Sequence, residues 1–483
     1  MLKLFIAFGA LLACQPLTAS QTLGSLEFRP CQIGSGRLGL SKAECATLKR
    51  PENPQAPAGR SIDIRITLIA ASSRNAEPDP VVFLAGGPGQ GASDSYAQVA
   101  PGFAEILKHR NVLLYDQRGT GLSHALRCEL PDPLAPESTD DVPEDVARMA
   151  KDCLAKLDAD PRFYTTSVAL TDLEALRIAV GAETLNLVGF SYGTRLAQHY
   201  ARQYPERTRS MILDGVVPNE LVLGSEHAKN LDAALAHQFA RCVADPQCHK
   251  RFGDPAATLS ELRVDYQTVR PFSIPDPLTG KPSEVELGPS VLQGVARFYA
   301  YSSETAALLP LLLDEAKQGR PTAMLAQLSM AGAELSEMIS HGMQLSVLCS
   351  EDAEFLREQP DDAQRLLGNE LYQLTQKQCA VWPKGERPAD FFTPLTSAVP
   401  TLIISGEFDP VTPARYGGQV AKTLSRSNHV VVPGQGHVNL ARGCVPRLAA
   451  ELIAKLQPEK LEFKCIKAIH AAPFFLDYTG PSA

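Results

Sequence analysis

Between residues 61 and 72, Ile62, Ile64, Ile66 and Leu68 alternate with polar neighbours. That period-two spacing predicts a half-buried strand. Val81–Leu84 and Val112–Tyr115 are short unbroken apolar runs, the pattern of strands covered on both faces of a parallel sheet. Residues 168–180 space their apolar side chains helically and stop at Gly181, a helix-ending residue. A strand at 185–190, a helix at 196–204 closed by Pro205, and a strand at 210–213 follow. Strands alternating with helices predict a parallel α/β sheet.

The middle of the chain reads differently. Residues 218–395 are mostly helical in pattern, with Leu- and Ala-rich stretches at 231–242, 305–317 and 321–346. A Pro-rich loop at 271–289 interrupts them, and no strand alternation stands out there. Residues 401–405 and 429–432 restore the buried-strand pattern. The expected organisation is a leader at 1–20, a core begun by 21–217, a helical lid inserted at 218–395, and a core completed by 396–483. The insertion, at about 180 residues, is one domain in size. The acidic, Pro-rich stretch 131–145 reads as a solvated surface loop.

Composition narrows the function. The chain has 483 residues, 44% hydrophobic and 21% charged, ordinary globular values. Its net charge is −8 and it has no basic run, which argues against nucleic-acid binding, because phosphate neutralisation needs clustered cations. After the N-terminus no apolar stretch approaches the roughly 18–20 residues of a spanning helix; the run at 305–313 is short and contains Pro310. At the start, Lys3, an apolar run from Leu4 to Ala13, and small Thr18, Ala19 and Ser20 have the order of a secretory signal peptide. Leu11-Leu12-Ala13-Cys14 also resembles a bacterial lipoprotein box, so a lipid anchor at Cys14 stands beside simple cleavage near Ser20. Secreted or periplasmic location is expected either way, with membrane anchoring the variant.

Ten of the 11 cysteines follow the leader. An even number in an exported chain permits five disulfides. Sequence leaves connectivity open; pairing of neighbours, from Cys31–Cys45 through Cys444–Cys465, is expected because short loops close easily. No C-x-x-C spacing is present, which argues against a zinc ribbon or a redox dithiol.

The strongest chemical signal is Gly189-Phe190-Ser191-Tyr192-Gly193, after a predicted strand and before a predicted helix. This is a nucleophile elbow, whose sharp turn lifts the serine above the sheet edge. Such chains place the acid and then the histidine after the serine. Three histidines lie beyond residue 400. His429 begins a strand and His470 sits in the tail, whereas His437 ends the turn Gly434-Gln435-Gly436 at the C-terminal side of a strand. His437 is therefore the expected base, and Asp409, in the turn after 401–405, the expected acid that orients it. Asp214 is a rival acid, more simply part of a turn with Gly215. Oxyanion donors are expected from the N–H of Tyr192 and from Gly87 in Ala85-Gly86-Gly87-Pro88-Gly89, since Pro88 has none. That loop lacks the spacing of a phosphate loop. This chemistry requires no metal or cofactor.

Four segments together, Gly86-Gly87-Pro88-Gly89, Asp116-Gln117-Arg118-Gly119-Thr120-Gly121-Leu122-Ser123, the elbow, and Gly406-Glu407-Phe408-Asp409-Pro410-Val411-Thr412-Pro413, resemble the prolyl and tripeptidyl aminopeptidase family of serine α/β-hydrolases. The secreted tripeptidyl-aminopeptidase-like branch also has segments similar to Val347-Leu348-Cys349-Ser350-Glu351-Asp352 and Cys379-Ala380-Val381-Trp382-Pro383. The resemblance runs from about residue 60 to 460. It implies an α/β-hydrolase core with a mostly parallel sheet and an inserted helical lid, a Cys349–Cys379 disulfide, and release of one to three residues from a peptide with a free N-terminus. Ala85 departs from the histidine common at that position in prolyl aminopeptidases, which weakens a proline-specific reading.

An aminopeptidase must hold an α-ammonium, which calls for carboxylates in a closed cavity. Glu351, Asp352 and Glu407 are the candidates, each with a salt-bridged or solvated alternative. Asp116 and Arg118 read as a structural ion pair, and Trp382 as packing beneath the lid. A carboxylester hydrolase with the same Ser-His-Asp set is the rival function, and a non-catalytic protein on the same scaffold a more distant one.

Overall fold

The computed structural model describes residues 21–34, 40–128, 142–275 and 279–481. The leader with Cys14, and residues 131–141 of the acidic stretch, lie outside the described residues.

The described strands are β1 (Gln21–Leu23), β2 (Leu26–Ile33), β3 (Ser41–Pro51), β4 (Ser61–Ile69), β5 (Val81–Leu84), β6 (Val112–Tyr115), β7 (Leu185–Phe190), β8 (Thr208–Asp214), β9 (Arg270–Pro275), β10 (Pro282–Leu287), β11 (Thr401–Gly406) and β12 (Ser427–Val432). Ten form one sheet in the order β1-β2-β3-β4-β6-β5-β7-β8-β11-β12. From β6 to β12 neighbours are parallel; from β1 to β6 they are antiparallel. The apolar runs at β5, β6, β7 and β11 are buried at every position, as strands covered by helices on both faces must be. Two apolar clusters cover the two faces. One contains Ile64, Leu113, Leu187, Met211 and Ile403, the other Val81, Val112, Val188, Ile212 and Ile404.

β1 to β3 were not among the predicted strands. β2 opens with Leu26 and Phe28 buried and Glu27 and Arg29 exposed, the one-sided burial of an antiparallel layer. Its signal is short and ends at Pro30. A disulfide between Cys31 and Cys45 ties β2 to β3.

The insertion also differs from expectation. The stretch 271–289 includes an antiparallel hairpin, β9 with β10, rather than only a loop. Ile274, Val285 and Leu287 are buried in the insertion's own cluster, with Leu231, Leu292 and Leu325. The prolines Pro271, Pro275 and Pro282 obscure this pattern in sequence; a two-stranded ribbon consists entirely of edges, where proline is tolerated. The later part of the insertion returns to the main core, because Met343, Val347 and Leu395 join the sheet's cluster.

The cysteines pair with sequence neighbours: Cys31–Cys45, Cys128–Cys153, Cys242–Cys248, Cys349–Cys379 and Cys444–Cys465. Among the described residues no helix is long and apolar enough to cross a membrane.

Candidate active site

The C-terminal ends of the parallel strands align. Leu84 pairs with Gly189, Phe190 with Asp214, Asp214 with Ile404, and Gly406 with Val432. The loops that leave these ends therefore converge, which is where open α/β sheets hold functional groups.

Ser191 follows β7 directly and precedes the helix Tyr192–Gln203. Its φ of 51° and ψ of −122° form a conformation that L-residues rarely adopt. The turn closes because its flanks carry no Cβ. A methyl at Gly189 would stand 2.5 Å from the Gly193 carbonyl oxygen, and one at Gly193 only 2.1 Å from that of Leu84. The Ser191 N–H donates to the Asp214 carbonyl at 3.0 Å, which pins the turn to β8.

His437 lies in the loop after β12. Its Nδ1 is 2.8 Å from Asp409 Oδ2. Ionised Asp409 can only accept, so Nδ1 carries the hydrogen and Nε2 keeps its lone pair. Asp409 Oδ1 accepts the N–H groups of Val411 and Thr412, each at 2.8 Å. Thr412 Oγ1 donates to Asp409 Oδ2 at 2.8 Å and lies 3.1 Å from His437 Nδ1. Burial acts to raise the Asp409 carboxyl, but His437 and these hydrogen bonds outweigh it and hold it below the usual range. For His437, burial opposes the charged form, and Asp409 and Asp214 together raise the imidazole above its ordinary value. The His437 N–H donates to the Tyr301 carbonyl at 2.7 Å, and the Tyr301 ring meets the imidazole edge-on. The insertion thereby touches the histidine directly.

Ser191 and His437 are brought together through β8. Asp214 receives the Ser191 N–H, and the next residue, Gly215, faces the imidazole so closely that a Cβ there would lie 2.9 Å from Cε1. No Ser191–His437 hydrogen bond is among the contacts of the described residues. Such bonds are often long before substrate arrives.

The glycine loop after β5 reaches the serine, with Gly86 placed so that a Cβ would stand 3.1 Å from Ser191 Cβ. Gly87 follows with φ of 107° and is exposed. Tyr192 is the first residue of its helix, where a backbone N–H has no intrahelical acceptor.

Other predicted residues fall elsewhere. Asp352 is buried and pairs with Arg195 at 3.0 Å, and Glu351 is buried against Thr166. Neither carboxylate stands free in a cavity; both are engaged within the protein, as the salt-bridged alternative has it. Burial, with Asp352 beside it, pushes Glu351 up to about 8, against the opposing Arg195. Glu407 is exposed and accepts the Gly434 N–H at 2.7 Å. Asp116 and Arg118 do not pair. Asp116 accepts the N–H groups of Ser93 and Leu122, while Arg118 is bidentate on buried Asp172. Trp382 is buried, with its ring N–H on Ser346, as packing requires.

Sequence reasoning missed Thr412 and undervalued Asp214. Thr412 lies inside the quoted 406–413 segment, but its role depends on the turn's conformation. Asp214 Oδ2 accepts the N–H groups of Asn439 and Leu440, both at 2.6 Å, and so clamps the histidine loop to β8. Burial pushes its carboxyl up to about 7.

Comparison with known proteins gives a consistent picture. The family described as alpha/beta hydrolase fold matches residues 79–442. Serine protease Hip1 of Mycobacterium tuberculosis is 24% identical over 459 residues, covering 86% of each chain. Tripeptidyl aminopeptidase of Streptomyces lividans is 26% identical over 410 residues, covering 78% of this chain and 74% of its own. Carboxylesterase B of Mycobacterium tuberculosis is 29% identical over 264 residues, 51% of this chain and 48% of its own.

Proposed function

This chain belongs to the alpha/beta hydrolase fold family, and from that premise we propose that it is an exported serine aminopeptidase that releases short N-terminal fragments from peptides. Ser191 Oγ attacks the scissile carbonyl while His437 Nε2 takes its proton. Asp409 keeps the imidazole in the required tautomer and stabilises the imidazolium. The N–H groups of Gly87 and Tyr192 receive the oxyanion. His437 then protonates the leaving amine, and water, activated by the same imidazole, releases the acyl group.

The observation that carries this reading is the positive-φ Ser191 after β7, bonded to Asp214, whose neighbour Gly215 faces the imidazole that Asp409 holds at 2.8 Å. The peptidase choice draws on likeness to a protein named tripeptidyl aminopeptidase and one named serine protease, each over most of this chain. Five disulfides among the described residues support an oxidising, extracytoplasmic setting. Of the three proposed ammonium-binding acids, exposed Glu407 is the one left to meet substrate.

A carboxylester hydrolase is the second reading. The engagement of Glu351 and Asp352 within the protein favours it, as does likeness to a carboxylesterase over half of this chain. Amine release from matched peptide amides with free and acetylated N-termini, beside a short p-nitrophenyl ester, separates the two. The proposal requires cleavage of the free-amine peptides and not of their acetylated matches, lost in Ser191→Ala. Ester turnover with both peptides untouched would make the esterase reading the correct one.

A further inference from the structure

Tyr192 is held from behind by a chain of buried hydrogen bonds that ends in the insertion. Its hydroxyl lies 3.3 Å from Gln117 Nε2 and 2.7 Å from Thr166 Oγ1. Thr166 Oγ1 is in turn 2.8 Å from Glu351 Oε2, and the Thr166 N–H donates to Glu351 Oε1 at 2.6 Å. All four side chains are buried. The next residue, Asp352, binds Arg195 on the same helix as Tyr192, one turn along, and accepts the Leu223 N–H at 2.8 Å. Two residues before Glu351, the Cys349–Cys379 bond ties this segment to the helix Glu370–Val381. Asp352 thus grips the helix that starts at the nucleophile directly, and Glu351 reaches its first residue through Thr166.

We propose that Glu351 is a positioning residue for acyl transfer, acting through Thr166 on Tyr192 and so on the N–H that receives the oxyanion. The proposal rests on the serine-hydrolase reading of Ser191.

The chain is satisfied in either protonation state. With Glu351 ionised, hydrogens run from Gln117 to Tyr192, from Tyr192 to Thr166 and from Thr166 to Glu351. With Glu351 protonated, and the Gln117 amide turned over, the direction reverses along the same contacts, Glu351 donating to Thr166, Thr166 to Tyr192 and Tyr192 to Gln117. Removing the carboxyl breaks both versions, because the Thr166 N–H and hydroxyl lose Glu351, so Thr166, the partner of the Tyr192 hydroxyl, is no longer held in place. The Tyr192 ring is then free to tilt. The backbone N–H at its root must meet a developing charge within about 2.7–3.1 Å. A displacement of ~1 Å at such a donor is worth about 100-fold in rate.

The test measures kcat and KM on a short p-nitrophenyl ester for wild type, Glu351→Ala, Glu351→Gln, Tyr192→Phe and the double variant Glu351→Ala/Tyr192→Phe. Labelling of Ser191 by a fluorophosphonate counts folded, competent sites. The expected result is a kcat about 10–100-fold lower in Glu351→Ala and in Tyr192→Phe, at near-unchanged KM. The double variant should be no slower than the slower single one, and Glu351→Gln should recover most of the rate by holding the reversed chain. Losses that multiply in the double variant, or that vanish once rates are divided by labelled sites, would overturn the proposal. If Glu351→Ala does not fold, a full-rate Tyr192→Phe overturns it equally. A wild type that neither turns over ester nor labels at Ser191 would instead sink the hydrolase reading.

Discussion

Asp409 binds His437 with one carboxylate oxygen and the backbone of its own turn with the other. Oδ2 meets Nδ1 at 2.8 Å, while Oδ1 accepts the N–H groups of Val411 and Thr412. The two backbone donors fix the rotation of the carboxylate, and the carboxylate fixes the imidazole. The orientation of the proposed base therefore rests on the backbone at the end of β11.

Asp409→Asn tests this division of labour. The amide oxygen can still accept from Val411 and Thr412, so the turn should survive and the melting temperature should change little. The amide nitrogen would face Nδ1 as a donor and force the wrong tautomer. Ester turnover should drop by roughly 10³–10⁴-fold. A variant within tenfold of wild type would remove Asp409 from the proposed mechanism.

The pH profile follows from the direction of the His437 shift. Burial disfavours the imidazolium, yet Asp409 and Asp214 together raise His437 above 6.5. Only neutral His437 can take the Ser191 proton, so kcat/KM should rise with pH, with its inflection above 6.5. A raised folded-state value also means that this group's stabilising contribution is full below the unfolded value and is lost as pH rises through the folded one. Activity should therefore climb while that contribution declines. Asp214→Asn removes one of the two raising charges and should move the inflection to lower pH.

Asp214→Ala should act mainly on stability. It leaves the buried N–H groups of Asn439 and Leu440 without their acceptor. Each such loss costs about 1–3 kcal/mol. Thermal melting should fall clearly for Asp214→Ala and much less for Asp214→Asn, whose amide oxygen can take over both bonds. Equal melting of the two would mean that the carboxylate does not clamp the histidine loop.

Two glycines in helices should respond oppositely to a methyl group. At Gly193 the new Cβ would lie 2.1 Å from the Leu84 carbonyl oxygen, a backbone atom of a central strand that has nowhere to go. Gly193→Ala should cost more than about 3 kcal/mol or prevent folding. At Gly418, inside the helix Ala414–Ala421, a Cβ meets nothing within 4 Å. Gly418→Ala should stabilise by roughly 0.5–1 kcal/mol, because alanine loses less freedom in forming a helix. Denaturant titration of both variants checks the pair.

The buried parallel strands were legible because their signal is local. Residues such as Val81–Leu84 must be apolar at every position to be covered on two faces. The elbow was legible for a related reason: its glycines are demanded by contacts as short as 2.1 Å. The N-terminal antiparallel strands and the hairpin β9–β10 were not. Their burial is one-sided, their alternation is short, and prolines at their edges imitate a loop. Asp116 and Arg118 show another limit, since adjacency in sequence suggested a pair and the fold gave Arg118 to Asp172 instead.

The sequence by itself carried the likeness to the family, the proposed order of serine, acid and histidine, and the expectation of a split core, because backbone crowding and two-sided burial write themselves into residue type at fixed spacing. Tertiary structure alone decided what each remaining carboxylate faces. Asp214, Glu351 and Asp352 are all buried acids. One clamps a loop, one binds Thr166, and one pairs with Arg195 on the helix after Ser191. A carboxylate's role depends on which donors surround it, and those donors come from segments as far apart as residues 166 and 351 or 214 and 439. No local pattern records them.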